Sequence, residues 1–258
     1  MSPDPTRTRF LRHAQRWRGV VLMSVVVVAT LWLAATNQLI LYIHPRYVVF
    51  TVIMAVIALV FVGASAFLRE PHDHDAPPTR RQNVLSAAAL GLSAVIALGL
   101  VVVPPATLSS ATLEQRAIND TGLNDTQGQS VAAVGSTTDA AFAKFTVLDW
   151  SSLLRQTSDL SFFSGKPVDV VGFVSADPDD PDNMFFVSRF VITCCAVDAQ
   201  PVGVPVYAPN WKDDFAVDQW VRVAGGFETN PSRSSTQSIA LLPDSAKVVE
   251  QPGEPYLY

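Results

Sequence analysis

The chain has 258 residues, of which 49% are hydrophobic and 16% charged, with a formal net charge of −5. That is too apolar for a disordered chain and too weakly charged for an ordinary soluble one. Residues 1–103 carry nine Arg against four acids, a balance of +5, while residues 104–258 carry nine basic residues against nineteen acids, a balance of −10; such a split implies two regions in different surroundings, and the acidic one excludes nucleic acid as a partner, since phosphate binding needs a basic stripe.

Residues 1–18 form a basic tail with five arginines, Arg7, Arg9, Arg12, Arg16 and Arg18. Three uncharged or nearly uncharged apolar runs follow, Gly19 to Ile43, Tyr47 to Leu68 and Val84 to Val103. Each is close to the roughly 20 residues needed to cross the hydrocarbon core, so residues 19–103 are expected to be a membrane region of three transmembrane helices. The first run is too long for the apolar core of a cleaved signal peptide. Positive flanks stay in the cytoplasm. The tail and the second loop, with Arg69, Arg80 and Arg81, are therefore expected inside, and the C-terminal half outside the plasma membrane.

The first loop reads Leu41-Tyr42-Ile43-His44-Pro45-Arg46-Tyr47, a tight turn with Tyr at both edges, where amphipathic rings prefer to sit. His44, Pro45 and Arg46 are read as a structural or partner motif. The second loop holds His72-Asp73-His74-Asp75 between prolines. In an extended segment alternate residues point the same way, so His72 and His74 are a two-imidazole candidate for one metal ion, with a solvated polar loop as the other reading. The Gly63-Ala64-Ser65-Ala66 and Gly91-Leu92-Ser93-Ala94 steps permit close helix packing against this chain or another membrane protein. None of the three runs has an acid, Lys or Arg near its middle. Ion carriers need polar groups at that depth, so the region reads as an anchor or subunit embedded in lipid and not as the conduit itself.

Residues 104–143 shift to Ser, Thr, Asn, Asp, Gly and Ala and read mostly as a polar linker. Residues 144–258 then read as an extracytoplasmic domain that is mainly β. Leu148, Trp150, Leu153 and Leu154 predict a short amphipathic helix. Strand-like runs follow at Val168 to Val174, Met184 to Thr193, Val202 to Tyr207, Gln219 to Gly225, Ser238 to Leu242 and Ala246 to Val249, separated by breakers such as Asp177-Pro178-Asp179-Asp180-Pro181-Asp182-Asn183. Short strands at this spacing predict a small barrel or sandwich. Gly172 and Gly225, inside strand-like runs, suggest the strongly bent strands of an OB-like small barrel, a fold that hosts many functions. The acidic loop invites calcium, but it lacks the ordered ligand spacing of an EF-hand.

The most informative stretch is Arg189 to Val206, RFVITCCAVDAQPVGVPV, which holds both cysteines of the chain side by side. Neighbouring Cα atoms sit about 3.8 Å apart, below the usual span of a disulfide, so the pair reads as thiols or ligands and not as a staple. Thiolates suit zinc or copper(I), and Cys194, Cys195 and Asp198 form a candidate partial shell. A closed zinc site takes four ligands, and residues 104–258 contain no His, the four of the chain being His13, His44, His72 and His74. Something else would have to complete the site. Two other readings stay open: thiol redox chemistry in an oxidising space, and packing or partner contact without chemistry. A cysteine without a nearby His lacks its usual base, which argues against an enzyme.

The same stretch, with YIHPRY after the first apolar run, the His-bearing second loop, WVRVAG and the terminal Pro255-Tyr256-Leu257-Tyr258, resembles the YcgQ-like family of bacterial membrane proteins, described as one subunit of a two-component permease. Arg189 belongs to this resemblance as a structural or partner residue. The resemblance implies a multi-spanning permease as membrane partner and a link to metal ions, without assigned ligands. The second loop is shorter in His than that of relatives. The chain is accordingly expected to be a non-enzymatic permease subunit whose outer domain binds or hands over a metal ion; the alternatives are a metal-free interaction module and an extracytoplasmic thiol redox protein.

Overall fold

The computed structural model describes residues 5–68, 79–102, 107–113, 116–119, 128–134 and 139–258. They fall into two compact units, Met1–Ala106 and Thr107–Tyr258.

The first unit is helical. Its three helices are α1 (Pro5–Ala35), α2 (Pro45–Leu68) and α3 (Arg80–Val102), with α1 packed on both others. The second run and the described part of the third are thus helical, whereas the first leaves its α-helix at Ala35 and ends in the turn before α2. Among the described residues one segment, Pro45–Ser65 of α2, is long and apolar enough to cross a membrane by length and composition. Its 21 residues rise about 32 Å, the thickness of a hydrocarbon core. Only 6% of its apolar window is buried, so it is not the core helix of a soluble unit, and Phe50, Val60 and Phe61 face outward. The apolar parts of α1 and α3, Gly19–Ala35 and Ala87–Gly99, are shorter. The basic tail and the Arg80-Arg81-Gln82-Asn83 start occupy the remaining turns of those helices.

The α1–α2 turn shows how local chemistry sets a hairpin. Asn37 takes the left-handed conformation, φ 57°, and the N–H groups of Asn37 and Gln38 donate back to Ala34 and Leu33. This is a Schellman stop with Asn in place of Gly. Pro45 then starts α2, where its missing N–H costs nothing. His44 Nδ1 accepts the Arg46 N–H at 3.1 Å, and the Arg46 guanidinium lies 4.8 Å over the Tyr47 ring. His44, Pro45 and Arg46 are in this way tied to the start of a helix.

The second unit is mainly β, as the strand pattern predicts. Short helices α4 (Ser110–Leu113), α5 (Val131–Val134), α6 (Asp139–Phe142), α7 (Val147–Gln156) and α8 (Leu160–Phe163) precede β1 (Val168–Ala176), β2 (Met184–Val191), β3 (Gln200–Tyr207), β4 (Trp220–Thr229), β5 (Ile239–Val248) and β6 (Tyr256–Leu257). The pairings run β1–β4, β4–β5, β5–β3, β3–β2 and back to β1, a closed circuit, with β6 added parallel to β2. All pairs in the circuit are antiparallel except β3–β5, which is parallel and limited to Val206 with Leu241. Val170, Val174, Phe185, Val187, Val204, Val221 and Leu241 fill its core. The predicted helix is α7. Thr146 and Asp149 form a capping box at its start, Trp150 and Leu153 are fully buried, and Trp150 meets Phe142, Phe145 and Phe227.

Three details depart from the sequence pattern. The two C-terminal runs are one strand, β5, because a bulge at Ala224/Gly225 absorbs the extra residue around Pro243. The tail supplies β6, which a two-residue strand cannot announce in sequence. The stretch read as linker also packs on the domain: Ser110 donates its N–H and Oγ to Asp218 at 2.6 and 2.9 Å, and Val134 and Phe142 join the core. The acidic β1–β2 loop spends its carboxylates internally. Asp177 accepts Ser235 Oγ, Asp179 accepts Thr236 Oγ1, Asp180 accepts Ser232 Oγ and Asn183, and Asp182 pairs with Lys212.

A Cβ at Gly225 would collide with the Leu242 carbonyl oxygen, a backbone atom that no rotamer change can move. Gly225→Ala is expected to destabilise the second unit by roughly 1–3 kcal/mol. Near-UV circular dichroism melts of the full chain in detergent will measure it, and an unchanged melt refutes the tight crossing.

Candidate metal centre

The thiol loop begins where β2 leaves β6. Ile192 still donates its N–H to Leu257, at 2.9 Å, after which Thr193, Cys194 and Cys195 turn outward. A 3-10 turn, Ala196–Asp198, brings the chain to β3. The Asp198 carboxylate folds back over the turn: Oδ2 accepts the Cys194 N–H at 2.7 Å, and Oδ1 accepts those of Thr193 at 3.2 Å and Cys195 at 3.4 Å. One short side chain thereby accepts from three consecutive backbone donors of the loop.

Both thiols are free, Cys194 exposed and Cys195 half-buried, with their sulfurs 3.5 Å apart. With Asp198 they form the one group of three His, Cys, Asp or Glu side chains among the described residues able to hold a metal ion, their ligand atoms all within 4.8 Å of one another. A tetrahedral zinc with bonds of about 2.3 Å separates two sulfurs by about 3.8 Å, whereas a linear ion with similar bonds needs about 4.6 Å. The observed separation fits the tetrahedral arrangement with little movement. Val197, in the turn between the thiols and Asp198, is 80% exposed.

The Cys194 thiol is pushed up to about 12, first by its hydrogen bond to the Asp198 carboxylate and then by that to Cys195. Partial burial opposes ionisation of Asp198, but the bond from the Cys194 thiol and the backbone N–H groups of Cys194, Thr193 and Cys195 outweigh it, and its carboxyl sits below the usual range. A depressed carboxyl stabilises the fold at neutral pH, and that contribution is lost only as pH falls from about 4 downward.

Arg189 is not part of this cluster. Its guanidinium lies over the Trp220 ring and donates to the carbonyls of Glu254, Pro255 and Tyr256, so it clamps the C-terminal tail against β2. Burial lowers its pKa, opposed by Tyr258 and Glu254. His44, Pro45 and Arg46 lie in the first unit, and His72 and His74 lie outside the described residues. Two residues that the sequence pattern did not single out, Arg116 and Asn119, hold the thiol loop and the start of β3. Arg116 is the one basic residue between 104 and 143, the single signal that sequence offers for it.

A thiol raised this far is almost wholly protonated near neutrality and reacts slowly. Site-resolved mass spectrometry of iodoacetamide labelling at pH 8 is expected to show slow modification of Cys194, accelerated about tenfold or more by Asp198→Asn, which removes the charge that holds the proton. Equal rates in the two proteins would contradict the Asp198 contact.

No curated protein and no solved structure matches the chain. Residues 138–258 match the family model described as the DUF1980 C-terminal domain, which is consistent with the resemblance found in the sequence.

Proposed function

We propose that the chain is a non-enzymatic accessory subunit of a membrane permease whose outer domain binds a transition metal ion, zinc by preference, through Cys194, Cys195 and Asp198. The observation that carries this reading is the open three-ligand cluster with its 3.5 Å sulfur separation. Supporting the membrane part are the apolar, outward-facing α2 and the charge split between the two halves. On this reading α1 and α3 also span the plasma membrane, the basic tail is cytoplasmic and the acidic domain is extracytoplasmic. The closed circuit of strand pairings, with β3–β5 parallel, supports an OB-like barrel as the scaffold.

The chain's own groups set how loading proceeds. The metal must displace the Cys194 proton, so affinity rises with pH, by about tenfold per unit for each proton released. Acidification favours release. Three donors leave one position for water or for a group on the permease, which suits transfer better than storage. The high pKa of Cys194 weighs against that thiol as the attacking nucleophile of a redox reaction. Exposed Val197 favours a docked partner, which the metal-free module reading shares.

Full chain purified in detergent under nitrogen is expected to bind zinc in competition with a chromophoric chelator, with release of protons and with weaker binding after Cys194→Ser or Cys195→Ser. Equal binding by the double serine variant eliminates the thiol site. An alkaline phosphatase fusion at the C-terminus is expected to be active; a silent fusion reverses the assignment of sides.

A further inference from the structure

The thiol loop is held from outside by a strap that is remote in sequence. Arg116 donates to the carbonyls of Val197, at 2.7 Å, and of Ala199, the residues on either side of Asp198. A planar guanidinium spans two carbonyls as one rigid fork, which an ammonium cannot do. Three residues on, Asn119 donates its backbone N–H to Pro201 at 3.1 Å, while its side-chain amide accepts from Gly203 N–H at 2.9 Å and donates to Gly203 O at 2.8 Å. Among the described residues the first half of β3 has no strand on that side, since its pairing with β5 is confined to Val206, and Asn119 covers this edge as a strand would. Asn119 takes the left-handed conformation, φ 61°, which Asn tolerates.

Gly203 is what lets the strap come so close. A Cβ there would lie 3.0 Å from Ile118 Cγ2 and 3.1 Å from Phe186 Cβ. Further back, Leu108 N–H donates to the Tyr256 hydroxyl at 3.1 Å and Ser110 is bound to Asp218. The strap is anchored along its described length, and all of it precedes the region matched by the family model, 138–258.

We propose that Arg116 is a positioning residue of the thiol site: through the strap it fixes the backbone on both sides of Asp198 and so pre-forms the three-ligand geometry. This rests on the metal reading above. A ligand held by locked backbone loses less freedom on binding, and outer contacts of this kind change metal affinity by about 10–100-fold. Arg116 touches no metal ligand atom. Its effect runs through the carbonyls of Val197 and Ala199.

The test uses the full chain in detergent under nitrogen, with zinc for affinity and cobalt(II) as a spectroscopic probe. Arg116→Gln is expected to weaken zinc binding about tenfold and to shift the thiolate-to-cobalt charge-transfer band, with Arg116→Lys recovering part of the loss. Gly203→Ala, whose Cβ would crowd Ile118 of the strap and Phe186 of β2 without altering Arg116, is expected to move both readouts in the same direction. Hydrogen exchange at 193–199 is expected to rise in Arg116→Gln while β4 and β5 stay protected, which separates a local role from global unfolding. If the parent binds zinc and Arg116→Gln matches it in affinity and spectrum, the positioning role is overturned while the thiol site stands. If the parent binds no better than the double serine variant, the metal reading itself falls and takes this inference with it.

Discussion

The carboxylate of Asp198 accepts the backbone N–H groups of Thr193, Cys194 and Cys195, and what the thiol loop can do depends on that arrangement. Without it three donors would be left to water and the two sulfurs would sample many separations. With it, the sulfurs sit 3.5 Å apart and the carboxylate is already beside them. The same carboxylate raises the pKa of the Cys194 thiol, so one short side chain both shapes the loop and disfavours ionisation of one of its two thiols.

The loop is held in place by the circuit of strands beneath it. β2 pairs with β1 through its first half and with β6 through its last residues, while β3 runs along its other side, so the loop between β2 and β3 emerges from a fully paired strand. Arg189 keeps β6 docked by binding three tail carbonyls, and Gly172 and Gly225 allow neighbouring backbones to approach where any Cβ would collide. The thiol loop is therefore short, and its two ends are fixed.

The two units differ in what they expose. α2, long and apolar enough to cross a membrane, leaves apolar side chains exposed, whereas the second unit buries its valines and phenylalanines within the strand circuit. The acidic balance of the second half and the arginines of the first follow the same division.

Much of this was legible in the sequence, because composition and periodicity are local signals. Long apolar runs dictate helices, alternating runs bounded by prolines and aspartates dictate strands, and adjacent cysteines exclude an ordinary disulfide by their Cα spacing alone. The pair Cys194 and Cys195, with Asp198 three residues on, could be named as a candidate for the same reason. What only the tertiary structure decided lies in contacts between distant residues. The strap from 107 to 119 had the composition of a linker, yet its Arg116 and Asn119 find the carbonyls of Val197, Ala199 and Gly203 more than eighty residues away. The tail strand β6 is too short for any pattern, and its existence depends on the free edge of β2 and on Arg189. The union of two predicted strands into β5 needed a bulge within β5 itself, at Asp244. Hydrogen-bonding capacity is written in the sequence, but which donor meets which acceptor is settled when the chain closes on itself, and the vicinal thiols acquire a defined geometry at that point.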